Sequence, residues 1–219
     1  MQHIIQETLT RHPELSSLSN DIGRAVQMIV DCHLHKNKVL TCGNGGSAAD
    51  SEHIVGELMK RFRLPRPLDQ KIRDELIHQY GAEGERMAAA LEQPVEAIAL
   101  TSQSALLTAF SNDVAADLAF AQQVLGYGKP GDLLIGLSTS GHSANVLSAM
   151  RMAKLLGMRV LGFTGCKPSE MDELCDLVLH APDSETYLVQ ESHEVLYHLI
   201  CQAVEFELFG KADHSVQTH

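Results

Sequence analysis

Five short apolar runs punctuate the chain, at 38–42, 95–102, 132–138, 159–164 and 176–180, with stretches of helical composition between them. Runs of this length, rich in Val, Ile and Leu and without polar alternation, are the pattern of strands buried on both faces. Strands that alternate with helices pair in parallel, because each crossover carries the chain back to the same end of the sheet. The expectation is an α/β fold, a three-layer αβα sandwich around a five-stranded parallel sheet, with ligands gathered at the carboxyl ends of the strands.

Long helices are expected at both ends of this unit. Over 15–35 the apolar residues Leu18, Ile22, Val26, Ile29 and Val30 follow a period near 3.6, predicting an amphipathic helix whose stripe a subunit partner is a candidate to cover. The spacing over 187–209 predicts a second long helix, and the polar residues after Gly210 are expected to fray. Shorter helices are expected over 105–113, closed by Ser111-Asn112-Asp113, and over 120–125 and 146–156. The segment at about 64–93, highly charged over 69–93 and broken by Gly81 and Gly84, reads as an exposed helical hairpin inserted into one domain that spans 1–219.

Charge narrows the partners. A net charge of −11 with the histidines neutral gives the chain no global field for nucleic acid or an anionic membrane, so any phosphate must be held by local dipoles. No uncharged apolar run reaches the length of a membrane span. The five cysteines show no CxxC spacing, and the first residues lack a signal-peptide pattern, so a cytoplasmic protein with reduced thiols is expected.

Two turns carry the phosphate reading. Cys42-Gly-Asn44-Gly45-Gly46-Ser47 joins the first strand to a helix; its glycines let the backbone bend sharply and approach a ligand, and Ser47 is placed to cap the helix. Ser138-Thr139-Ser140-Gly-His-Ser143 follows the third strand with four hydroxyls in six residues, enough with helix-start amides to bind a dianion without a cation. Neither turn matches a P-loop or a dinucleotide fingerprint, so the phosphate belongs to a small substrate.

Two helices carry the chemistry. His53 and Glu57 stand i, i+4 on the helix after the first turn. On the last helix Gln190 and His198 are eight residues apart and share a face with Glu194, whereas His193 points elsewhere. Opposed to one another, two imidazoles, a carboxylate and an amide suit zinc or a similar divalent ion. A carboxylate with a histidine equally suits the proton transfers of an aldose–ketose isomerisation.

Together, Cys42–Ser47, His53 with Glu57, Ser111–Asp113, Ser138–Val146 and Gln190-Glu-x-His193 with His198 resemble the sedoheptulose 7-phosphate isomerase (phosphoheptose isomerase) family of SIS domain proteins, in order from about residue 20 to 209. The resemblance implies the SIS fold, a homotetramer with active sites between subunits, and conversion of sedoheptulose 7-phosphate to D-glycero-D-manno-heptose 7-phosphate through an enediol, a step towards lipopolysaccharide heptose. It implies Glu57 as base and His198 as acid. It also implies a substrate shell of Asn44, Gly45, Gly46, Ser47, Glu57, Arg61, Asn112, Asp113, Ser138, Thr139, Ser140, Ser143 and Gln190. One zinc per subunit would be held by His53, Glu57, Gln190 and His198. Three departures from the family pattern stand out: the long insertion, His142 in place of the usual asparagine, and Tyr187 in place of a frequent aspartate. A non-catalytic sugar-phosphate sensor or replication-initiation partner with this domain, or an isomerase of another sugar phosphate, is the alternative; retention of both Glu57 and His198 favours catalysis.

Overall fold

The computed structural model describes residues 1–210; the tail after Gly210, expected to fray, lies outside them. Five strands form one sheet: β1 (Val39–Cys42), β2 (Ala97–Ala99), β3 (Leu133–Leu137), β4 (Arg159–Thr164) and β5 (Leu177–His180). All pair in parallel in the order β2-β1-β3-β4-β5. The expected five-stranded parallel sheet is present. The second strand is shorter than its apolar run because the chain turns into a 3₁₀ helix at Leu100–Ser102.

Side-chain alternation along these strands divides the interior into two cores. Leu133, Ile135, Leu137, Leu161 and Phe163 face one, while Leu134 and Val160 face the other together with Leu40 and Cys42. The first core is roofed by α1 (Gln2–Arg11), α2 (Ser19–Leu34), α3 (Gly46–Met59) and α10 (Thr186–Phe209). The second is roofed by α7 (Ala119–Tyr127), α8 (Ala144–Leu155) and α9 (Met171–Leu174), which completes the three layers.

Helix α2 corrects one expectation. Leu18, Ile22, Val26, Ile29 and Val30 are all buried within the chain itself, so the stripe needs no partner subunit. The helix also starts later than its pattern, since Pro13–Leu18 is a 3₁₀ helix, and α1 ahead of it carried no reading in the sequence. Between β1 and β2, α4 (Gln70–Tyr80) and α5 (Ala82–Ala90) form the expected hairpin, and no residue of α4 is buried. It is tied to the body at its base, where the Gln93 N–H donates to Arg66 O (2.8 Å) and the Val95 N–H to Leu58 O (2.9 Å).

After β2, α6 (Ser104–Phe110) runs into a π-helical turn at Ser111–Ala115 and a 3₁₀ turn at Ala116–Leu118, and none of these residues is buried. Leu106, Val114 and Leu118 expose 39%, 67% and 42% of their surface there. These apolar side chains stand in the same exposed segment as Asn112 and Asp113.

Candidate active site

Strand order reverses between β1 and β3, and both Gly/Ser-rich turns leave the sheet at that switch point. They are joined directly: the Asn44 Nδ2–H donates to Asn145 Oδ1 and the Asn145 Nδ2–H to Asn44 Oδ1, both at 2.8 Å. In the first turn Gly45 adopts φ +57° and serves as the N-cap of α3. Ser47 therefore is not the cap; it lies inside the first helical turn, 3% exposed, and its carbonyl accepts the Ser51 hydroxyl at 2.8 Å. Gly46 packs against the end of the Gln190 side chain: a Cβ there would stand 2.5 Å from Gln190 Nε2 and make that side chain move. The Ala48 N–H donates to Gly45 O at 3.0 Å, which leaves the amides of Gly46 and Ser47 as the start of α3 at the switch point, a helix end suited to an anion.

In the second turn Ser138 and Ser143 share a hydroxyl–hydroxyl bond of 2.9 Å, and Ser140 Oγ accepts the His142 N–H at 3.2 Å. Thr139 is fixed through its carbonyl, which accepts the Gly165 N–H at 3.1 Å. Helix α8 begins directly after Ser143, so a second set of helix-start amides faces the same opening.

The two helices that carry the titratable residues lie side by side in parallel. Gly46 of α3 meets Gln190 of α10, and further along His53 meets Tyr197 and His198. There the His53 Nε2 is 3.4 Å from Glu57 Oε1 and 3.3 Å from His198 Nε2. The other ring nitrogen of His53 lies 3.0 Å from the Tyr197 hydroxyl. Glu57 is 13% exposed and its second oxygen is 3.3 Å from Lys60 Nζ. The Phe62 ring lies against the His198 imidazole, 5.8 Å between centroids with 28° between planes. Burial, and then the neighbouring His53, hold the His198 imidazole below the usual histidine range. His193 is buried on another face, where desolvation pushes it down to about 4 and it touches Thr164 O.

These spacings bear on a metal. Zinc with nitrogen and oxygen ligands at about 2.0–2.1 Å sets neighbouring donors of a tetrahedron about 3.3 Å apart. His53 shares an edge of that size with both Glu57 and His198. Among the described residues no three His, Cys, Asp or Glu side chains close on one point. The His53–Tyr197 contact is the kind of outer-shell bond that orients a metal-binding imidazole.

Not every expected residue joins this cluster. Gln190 lies eight residues, about 12 Å of helix, before His198, and Ser47 lies ten residues, about 15 Å, before Glu57. Within one chain the phosphate-ready turns and Gln190 thus occupy one end of the α3–α10 pair, and Glu57 with His198 the other. Arg61 is exposed and paired: its Nε is 2.8 Å from Glu92 Oε1, and its N–H donates to Glu92 Oε2 at 2.9 Å. Asn112 and Asp113 bond to each other at 2.8 Å on the exposed π turn. Sequence reasoning missed Asp50, Phe62 and Tyr197; only Asp50 left a signal, standing one helical turn before His53.

Asp50 gives a measurable consequence. Its carboxyl is pushed up to about 6 by burial and then by the charge of Glu194. A folded value above the ordinary 3.8 means that the folded chain keeps a proton that the unfolded chain releases, so this group's contribution falls as pH rises from about 4 through 6. Asp50→Asn removes the loss. Because the carboxyl is half-exposed, the gain at pH 8 is discounted to about 1 kcal/mol. Urea midpoints at pH 4 and pH 8 check it: equal shifts at both pH values would contradict the assignment.

The chain matches the SIS domain family over residues 5–74 and 80–165. It is 44% identical over 174 residues to a phosphoheptose isomerase of Burkholderia pseudomallei, covering 80% of this chain and 75% of that protein. Among solved structures it resembles the phosphoheptose isomerase of Neisseria gonorrhoeae, with TM-score 0.71 and 29% identity over 91% of this chain and 94% of the other. It also resembles that of Francisella tularensis, with TM-score 0.73 and 28% identity over 91% and 93%. With sequence, sheet order and the paired turns in agreement, this chain belongs to the SIS domain family, among its phosphoheptose isomerases.

Proposed function

We propose that the chain is an aldose–ketose isomerase that converts sedoheptulose 7-phosphate to D-glycero-D-manno-heptose 7-phosphate, serving heptose supply for surface glycans in the cytoplasm. The observation that carries the reading is the contact between Glu57, His53 and His198 from two helices that start and end far apart in sequence. Glu57 removes the proton from C1 of the ketose while His198 delivers one to the carbonyl oxygen at C2, giving the enediol. Return of the proton to C2 and loss of the O1 proton complete the aldose, so atoms and charge balance.

The phosphate is assigned to the helix-start amides and hydroxyls of Ser47, Ser138, Thr139, Ser140 and Ser143, with Asn44, Gly45 and Gly46 shaping the turn. Their separation from Glu57, about 15 Å of helix, favours a site completed by a second copy. The exposed Leu106, Val114 and Leu118 beside Asn112 and Asp113 offer a face for that copy, as in a homotetramer. Gln190 and Arg61 then reach the substrate across the subunit boundary. Zinc would be held by His53, Glu57 and His198, the last two leaving it when they act as base and acid, and it would polarise the carbonyl and hydroxyl oxygens; Gln190, about 12 Å of helix from His198, stands outside this set within one chain. Among the described residues no helix is long and apolar enough to cross a membrane.

Incubation of the purified protein with sedoheptulose 7-phosphate, followed by NMR, is expected to show aldose signals growing in. Their absence at enzyme concentrations near the substrate's would leave a binding protein. Elemental analysis of protein purified without chelator is expected to give about one zinc per chain, and a fully active metal-free protein would remove zinc from the reading.

A further inference from the structure

A heavily engaged acceptor among the described residues is a carboxylate outside the cluster just described. Glu205, on α10 beyond His198 and 1% exposed, accepts the backbone N–H groups of Phe62 (2.7 Å), Arg63 (2.7 Å) and Leu64 (2.8 Å), and the Nε–H of Arg66 (2.9 Å). Arg66, whose side chain has no exposed surface, directs its remaining donors at the end of α3: Nη1 to Leu58 O at 2.7 Å and Nη2 to Glu57 O at 3.3 Å. Its guanidinium also lies 4.9 Å from the centre of the Phe209 ring. Two charges taken out of water persist only when nearly every donor and lone pair is matched, and here, besides each other, the matching partners are the backbone of the turn after α3 and the last carbonyls of α3 itself.

That turn reaches the main chain of Glu57 and the ring of His198. Arg66 holds the carbonyl of Glu57 itself, capping the helix that presents its carboxylate. The backbone of Phe62, bonded to Glu205, sets the ring that lies on His198. A turn built only to reverse the chain needs neither contact. We propose that Glu205 and Arg66 are positioning residues for the isomerisation: they clamp the 62–66 turn between α3 and α10, and Phe62 transmits the clamp to the His198 ring, fixing the gap between base and acid. The assignment rests on the isomerase reading above.

Steady-state kinetics of Glu205→Gln, Phe62→Leu and Phe62→Tyr test it. Glu205→Gln is expected to lower kcat about 100-fold, the loss that follows a displacement of about 1 Å, with KM changed by less than about threefold. Phe62→Leu is expected to lower kcat about tenfold in the same pattern, and Phe62→Tyr to restore it, since the ring is what His198 meets. Where Glu205→Gln fails to fold, Phe62→Leu decides, because it keeps every backbone bond to Glu205. Wild-type kcat in Phe62→Leu, or equal losses in Leu and Tyr variants, would overturn the proposal. Crystal structures of the variants read the same claim without turnover. The His53 contacts to His198 and Glu57, now 3.3 and 3.4 Å, are expected to open; unchanged spacings sink the positioning role, whereas an inactive wild type would sink only the isomerase reading.

Discussion

Replacing Glu57 with glutamine is expected to lower kcat by about 10²–10⁴-fold, the range contributed by one positioned acid–base group. Glutamine keeps the shape of the side chain and one carbonyl oxygen towards His53, but it cannot accept the C1 proton. The fold should not notice the change: the Glu57 carboxylate is lightly exposed, its salt bridge is to a Lys60 side chain that is 61% exposed, and pairs of that kind contribute little. Loss of turnover with an unchanged urea midpoint is therefore the expected signature. Turnover within tenfold of wild type would take the base role from Glu57, and a parallel loss of stability would show that the variant reports on folding instead.

The largest stability effect is expected at Arg66. Arg66→Leu removes one partner of a buried ion pair and leaves the Glu205 carboxylate facing three N–H donors without its cation, at a cost of about 3–5 kcal/mol. For a chain of this size that lowers the melting temperature by about 10 °C. Arg86 offers the contrast. Its Nη2 lies 2.6 Å from Glu83 Oε1, closer than Arg66 to Glu205, yet the two side chains are 70% and 58% exposed. Arg86→Leu is expected to leave the melting temperature where it is, because burial and not length decides what a charge pair is worth. Scanning calorimetry of both variants separates the cases. An Arg66→Leu protein that melts with the wild type would show that the pair is replaceable by any side chain that fills the space.

Much of this was written in the local pattern of the chain. Five apolar runs placed all five strands, and the spacing of His53 from Glu57 placed both on one helical face, because side-chain direction follows from a period that needs no tertiary knowledge. The glycine and serine turns were legible for the same reason: a strand that ends in Gly or Ser before a helix leaves amides free whatever surrounds it.

What period cannot encode is the partner of a face or its height along the axis. The α2 stripe was visible, but only the packed chain covers it with the sheet and α10 rather than with another subunit. Gln190 and His198 share a face, yet lie about 12 Å apart along α10. Ser47 had the composition of a cap, and the positive φ of Gly45 took that role. Phe62, Tyr197 and Glu205 meet their partners across more than 130 residues of sequence, through contacts that exist only because the first core presses α3 and α10 into one layer. The sequence determined the elements and the residue types each one offers; packing decided which of them touch, because burial of apolar area acts on whole faces and is blind to chain order.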